Sequence, residues 1–435
     1  MRIFYKSRFL FGYIGLLALS FCTSKICDAR DLTVSATQAG AYRTIQSAIN
    51  AAQPGDVIRL ELKATPYTET VVFRNKSGTV EQPIILDGQG ATLNGSEPLK
   101  AQEWEKTETG AYRSTAFLEN RKMGTSTVGR YYFIMNGSAN RMGRSSKGNS
   151  GRYKAVADLQ PGEWTYEAKE KAFYIVPPAG QSIEEVRAPE RANGVAINGD
   201  CENLTIRNIT ATHVWNDGFN IHGRTRNVRF ENIRAIECGD DGISAHEDCH
   251  IIVDGFIAQR NSTGMCHINQ SQSDNRNLTM EDNLGYSIYL LDDSKHTIKD
   301  AVVHSARGIA FHATRKTEVA LENVLFDGQT PGQVGFRVDA EANVIARNIS
   351  LWNLPFTVDS ATMELQESVL GGDMVKAKIT STAIWKANNN LWGVSEIDYH
   401  GTSYPAAAFA DYVKASGQEQ TSRWEKITAA KAPVK

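Results

Sequence analysis

The stretch from residue 204 to residue 246 decides the fold: LTIRN (204–208), GFNIH (218–222), VRFEN (228–232) and GISAH (242–246) follow one another in strict alternation. The first phrase alternates apolar and polar residues, the period of a half-buried strand, and ends on a turn residue. It recurs as IIVDG (251–255), LTMED (278–282), HTIKD (296–300), VALEN (319–323) and VIARN (344–348). The ends at 208, 232, 255, 282, 300, 323 and 348 are spaced 24, 23, 27, 18, 23 and 25 residues apart. Asn, Asp or Gly at the shared end tolerates the left-handed backbone of a tight turn. The second phrase opens on glycine and recurs as GMCHI (264–268), GYSIY (285–289), GIAFH (308–312) and GFRVD (335–339).

A unit of about two dozen residues with two or three short strands cannot bury its apolar side alone. Stacking such units gives one continuous core. The sequence therefore predicts an all-β chain, a right-handed parallel β-helix. Helical repeats of this length would need apolar residues at 3.6-residue spacing, which these phrases lack.

Strand alternation sorts the glycine phrase by direction. One residue after the glycine stand Phe219, Ile243, Met265, Tyr286, Ile309 and Phe336. Three after stand Ile221, Ala245, His267, Ile288, Phe311 and Val338. Both columns are predicted to face inward. His267 interrupts the second; either its rung is shifted by one residue or the imidazole is buried and hydrogen-bonded. Four after stand His222, His246, Ile268, Tyr289, His312 and Asp339, and these are predicted to face out with Asn220 and Arg337 beside them. At roughly 4.8 Å per rung, His222 to Asp339 would form a straight groove of roughly 24 Å, long enough for several sugar units.

The N-terminal part extends the pattern. YRTIQSAINAA (42–52) reads as an amphipathic capping helix, PGD (54–56) as a turn, and VIRL (57–60) as a strand. With YTETV (67–71) and QPIILDGQGATLNG (82–95), this opening resembles the pectate-lyase-like β-helix superfamily of secreted carbohydrate-active proteins. The resemblance covers most of residues 32–360 and implies the fold and a glycan as partner. Residues 30–96 are thus expected to hold the cap and first rungs, and 191–400 the main β-helix. Residues 97–190, rich in Trp, Tyr and Gly, are expected to be a β-rich insertion whose basic loop, 141–154, overhangs a cleft or is solvated. Residues 401–435 are expected to give a C-terminal capping helix and a tail.

Arg2, Lys6 and Arg8 precede the short apolar run FLFGYIGLLALSF (9–21), and small Ala29 follows. This reads as a signal peptide spanning 1–29, too short for a membrane span. The product is expected to be secreted or periplasmic; a lipoprotein modified at Cys22 is the alternative. Cys201, Cys238, Cys249 and Cys266 would remain, without metal-site spacing, as thiols or bridged pairs. A net charge of −2 gives no reason to expect nucleic acid or anionic lipid, and a monomer is expected.

Cleaving a glycosidic bond takes one carboxyl as acid and another as base or nucleophile. Asp217 precedes one glycine and Asp240-Asp241 the next, one rung apart. NDG (216–218) followed by GDDG (239–242) resembles the aspartate motifs of polygalacturonases and related inverting hydrolases, which implies a catalytic role for Asp217, Asp240 and Asp241; no Arg-Ile-Lys motif follows. The first reading is thus a glycoside hydrolase that requires no cofactor. The second is a polysaccharide lyase. In it Arg315, Arg337 or Ca²⁺ would neutralise a uronate, His246, His312 or Tyr289 would act as base or acid, and Asp240, Asp241, Glu247 and Asp248 would be the oxygen ligands for calcium. His222 completes the candidate catalytic face; Asn220, Arg315, Arg337 and Asp339 are candidate substrate contacts. The third reading is a glycan-binding β-helix without turnover. N-terminal sequencing of the exported protein should give a chain starting near Arg30; a lipid-modified Cys22 as first residue would contradict this.

Overall fold

The computed structural model describes residues 29–148, 151–330, 334–372, 375–428 and 430. The signal-peptide reading, with Cys22 and Cys27, lies outside them. The chain forms a parallel β-solenoid of about 16 turns. Each turn of the central part presents three faces: the first carries the glycine phrase, as in 218–222, the second the phrase that ends on a turn residue, as in 228–232, and the third the run that follows, as in 233–236. Strands such as Val195–Thr212 and Phe219–Ile236 run through two corners without a break, pairing residue for residue from Val195↔Phe219 to Thr212↔Ile236.

The corners hold because left-handed residues stand there. Asn208, Asn232, Gly255, Asn277, Asp300, Asn323 and Asn348 all have φ between 50° and 77°. Their side chains also bond along the stack: Asn232 Nδ2 donates to Asn208 Oδ1 at 2.9 Å, and Asn348 Nδ2 to Asn323 Oδ1 at 2.7 Å. This corner row corrects one step of the repeat. Ile252 pairs with Asp274 and Asp274 with Thr297, so SDNRN (273–277) is the true second-face member of its turn. LTMED (278–282) belongs to the third face, where Leu278 pairs with Phe256. The spacings of 27 and 18 become 22 and 23, because the true phrase is polar and hides the repeat.

The glycines of the first face are needed for close stacking. A Cβ on Gly218 would lie 2.7 Å from the Gly242 oxygen, one on Gly242 2.5 Å from the Gly264 oxygen, and one on Gly264 2.5 Å from the Ser287 oxygen. The next turn breaks the pattern. Met265 pairs with Ile288 and Cys266 with Tyr289, so Ser287, not Gly285, occupies the glycine position. The phrases at 285–289 and 308–312 slide by two residues, and an irregularity between Ile309 and Phe311 returns Phe336 to its expected place. The inner ladder is Phe219, Ile243, Met265, Ile288, Phe311 and Phe336, all fully buried. Tyr286 and Ile309, expected in it, are only half-buried. His267 needs no shift of its own turn: it is fully buried between Ala245 and Leu290, its ring 5.2 Å from that of buried His296.

The ends are covered as helices cover open sheets. Ile45–Ala51, capped by Thr44 Oγ1 accepting from Ser47 N at 3.1 Å, packs Ile45, Ala48 and Ile49 onto the first turns. At the far end Phe409–Ser416 buries Tyr412, whose hydroxyl accepts from Trp385 Nε1 at 3.0 Å. Between Asn94 and Val195 the chain leaves the coil and builds two small antiparallel sheets around Phe117, Phe133, Trp164 and Phe173. This insertion docks on the coil through Tyr132, whose hydroxyl donates to the Glu237 carbonyl at 2.5 Å. The four cysteines are buried and unbridged. Among the described residues no helix is long and apolar enough to cross a membrane.

Phe336 stacks on Phe311 at 4.7 Å and touches Phe356, so Phe336→Ala is expected to cost about 3–5 kcal/mol in denaturant unfolding. The buried imidazoles set the acid side. Burial holds His267 down to about 3 and His296 well below its ordinary value, whereas both take up protons near pH 6.5 once unfolded. Stability is then full above pH 6.5 and falls as the pH drops toward 3, by up to about 1.4 kcal/mol per pH unit for each histidine. Melting curves from pH 7 to 4 should show the loss, and a His267→Leu/His296→Leu double variant should flatten it.

Candidate active site

The first-face turns bring Asp217, Asp240 and Asp241 together at the strand starts, all nearly inaccessible. One carboxylate oxygen from each lies within 4.8 Å of the others. The ladder itself fixes two of them: Asp241 N donates to Asp217 Oδ1 at 3.0 Å across one turn. Asp217 Oδ2 accepts from Asn220 Nδ2 at 2.5 Å and from Asn216 Nδ2 at 3.1 Å. Asn220, expected to touch substrate, is therefore committed to orienting Asp217.

The inserted domain supplies the positive charge. Lys147 Nζ pairs with Asp240 and, at 2.6 Å, with Asp241. Arg130 Nε lies 3.2 Å from Asp240 Oδ2. Ser146 Oγ donates to Asp240 as well. Of the two readings of the loop 141–154, cleft cover or solvated segment, the structure has the first: Ser146 and Lys147 reach the aspartates. Its closeness explains Gly285: a Cβ there would meet the Lys147 oxygen at 2.3 Å. Lys147, Arg130 and Ser146 were not legible as site residues; the basic composition of the loop 141–154 was a signal for Lys147, and Arg130, which lies before that loop, had none.

Burial and the Asp240 charge raise the Asp217 carboxyl to about 6, against the pull of Lys147. Burial and Asp240 also push Asp241 well above the usual carboxylate range. Burial opposes ionisation of Asp240 too, but Lys147 and Arg130 outweigh it and hold this carboxyl low. The site thus sets one carboxylate held ionised, Asp240, beside two carboxyls that keep their protons to higher pH than usual. Calcium does not fit this arrangement: it wants six to eight oxygens, and the Lys147 ammonium already bridges Asp240 and Asp241. Glu247 accepts from Gly223 N at 2.5 Å and Asp248 pairs with Arg226 at 2.6 Å, each engaged elsewhere.

A pocket of about 290 Å³ opens beside the aspartates, lined by Arg130, Lys147, Asn216, Asn220, His222, His246, Cys266, Ile268, Tyr289 and Leu291. His222 and His246 stack at 4.1 Å, and His246 Nε2 shares a 2.8 Å hydrogen bond with Ser244 Oγ. The expected single stripe to Asp339 is corrected by the two-residue slide. Tyr289 and His312 stand in the outer column of Asn220, Ser244, Cys266 and Arg337, not in that of His222 and His246. Ile268 and Leu291, both in the pocket lining, continue the column of His222 and His246. Tyr286, Tyr289 and His312 form a second pile with ring distances of 4.4 and 5.2 Å along it. His312 Nε2 bonds Asp339 at 2.9 Å, so Asp339 orients the imidazole. Arg315 pairs with Asp292 at 3.1 Å and lines a different cavity, while Arg337 is exposed beyond His312.

No family model and no curated protein matches this chain. Among solved structures it is similar to XylC in complex with xylose, with a TM-score of 0.45, 11% identity, and 85% of this chain and 84% of that one covered. It is also similar to a structure described as a glycoside hydrolase, with a TM-score of 0.41, 10% identity, and 83% and 97% covered.

Burial and the adjacent His222 depress His246 to about 4. NMR titration should find the His246 imidazole neutral down to that pH, and His222→Gln should raise its midpoint. A wild-type midpoint near 6.5 would contradict the burial described.

Proposed function

We propose that the protein is a glycoside hydrolase acting on an extracellular polysaccharide, with Asp240 as the ionised carboxylate and Asp241 as proton donor. The observation that carries this reading is the split within one buried trio: two cations hold Asp240 ionised, while burial and the Asp240 charge make Asp241 keep its proton to higher pH. An acid and a base whose environments push them apart are what glycosidic cleavage needs. Asp217, fixed by two asparagine amides, holds the Asp241 backbone. Sugar rings would lie against the His222–His246 pair and the Tyr289 pile, faces suited to the apolar side of a pyranose.

The spacing also selects a route. Direct displacement by water needs carboxyl groups roughly 6.5–9.5 Å apart, whereas double displacement uses roughly 5–5.5 Å. One oxygen of each carboxyl lies within 4.8 Å of the others, an approach nearer the shorter spacing, and double displacement is the route taken here. Asp240 attacks the anomeric carbon as Asp241 protonates the leaving oxygen. Asp241 then takes a proton from the water that releases the sugar from Asp240. This departs from the inverting outcome implied by the polygalacturonase-like motif.

A lyase is the second reading, supported by His246: neutral at pH 7, it is able to accept a proton, and exposed Arg337 is a cation for a uronate. The products separate the two readings. A panel of plant and algal polysaccharides should yield new reducing ends without unsaturated uronates, and the first-formed anomer should keep the substrate configuration. Asp241→Asn should lower kcat by about 10²–10⁴-fold with the melting temperature at pH 7 maintained. Unsaturated product, with Asp241→Asn fully active, would replace the hydrolase by the lyase.

A further inference from the structure

We propose that Lys147, carried in by the inserted domain, is a positioning residue of the aspartate centre: its ammonium clamps Asp240 to Asp241 across the pocket and makes the insertion part of the working site. The inference rests on the hydrolase reading for its kinetic test, but the clamp itself stands on geometry.

The loop bearing Lys147 is seated on the coil from several directions. Ser146 N donates to Ser262 Oγ at 2.6 Å, one turn beyond the aspartates. The Arg141 guanidinium, itself buried, donates to the carbonyls of Cys238 and of Gly239, the residue before Asp240. Gly285 leaves room for the Lys147 carbonyl where any side chain would strike it. The Lys147 side chain is 26% exposed, and both of its partners are under 6%. An ammonium reaching this far into a low-dielectric site acts strongly on whatever it touches.

The groups facing the clamp are Asp217, Asp240 and Asp241 on the coil, His246 and Cys266 beside them, and Arg130 and Arg141 from the insertion. Arg130 touches Asp240 from the other oxygen and does not reach Asp241 in any bond of the structure. Lys147 alone therefore holds the two adjacent carboxyls at a fixed separation. Without it, Asp240 would need a higher pH to ionise and Asp241 would keep its proton to a higher pH. Both limbs of the pH–rate profile would move toward alkali.

The experiment compares wild type, Lys147→Met and Lys147→Arg in the full chain. Lys147→Met is expected to lower kcat/KM by about 10²-fold or more and to shift the acid limb upward by about one pH unit; Lys147→Arg should restore most of both. In parallel, carbodiimide labelling of protonated carboxyls, read by peptide mass spectrometry, follows Asp240 against pH without substrate. Its midpoint should rise in Lys147→Met and return in Lys147→Arg. Lys147→Gln, which keeps a donor for one carboxylate, serves if the Met variant fails to fold. Lower activity with an unmoved pH profile and an unmoved labelling midpoint would reduce Lys147 to a loop anchor and overturn the proposal. A wild type that cleaves no glycan overturns the hydrolase reading instead, and the labelling then decides the clamp by itself.

Discussion

Parallel stacking in register is the constraint from which the rest of the molecule follows. Each turn satisfies its backbone groups only through the turns above and below, so one residue of slip would move a whole face of side chains from core to solvent. The Phe219-to-Phe336 ladder and the left-handed corner asparagines hold the register from inside and outside. The glycines at 218, 242 and 264 let successive backbones approach where a Cβ would collide with the next carbonyl. A scaffold fixed this way places outward side chains without adjustable loops. The Asp241 amide on Asp217 is one rung of that ladder put to use in the site.

Into this rigid frame the insertion brings the charge that the coil lacks. Three carboxyls in so small a buried space cannot all ionise on their own. Lys147 and Arg130 settle the matter unequally because both reach Asp240 and only Lys147 reaches Asp241. The resulting division is a property of two structural units together. It also costs stability, since buried acids and a half-buried lysine are retained where apolar residues would pack without desolvation.

The same register logic limits the binding face. The slide at Ile288 puts two aromatic piles in different columns, with Ile268 and Leu291 taking the places that follow His246 in the first. The pocket is accordingly compact and centred on the aspartates, where a uniform repeat would have drawn a long open groove. His312, supported by Asp339 and stacked on Tyr289, stiffens the far pile.

The sequence by itself determined the architecture, because alternation and turn residues are local signals that survive in every rung. It also marked Asp217, Asp240, Asp241, His222, His246 and Tyr289, which share the pocket, since equal strand positions must align in a stacked coil. It misplaced Leu278, Tyr286 and Ile309 for two reasons: a polar strand, SDNRN at 273–277, carries no hydrophobic signature, and a glycine at 285 serves the loop above it instead of the stack. Lys147 and Arg130 were invisible because nothing in local pattern says which cation of an excursion returns to which strand. That pairing is a contact across about ninety residues, made by the docking of one folded unit on another; only tertiary structure decides it, because burial and proximity, the two things that set the chemistry of a carboxyl, do not exist until the chain has closed.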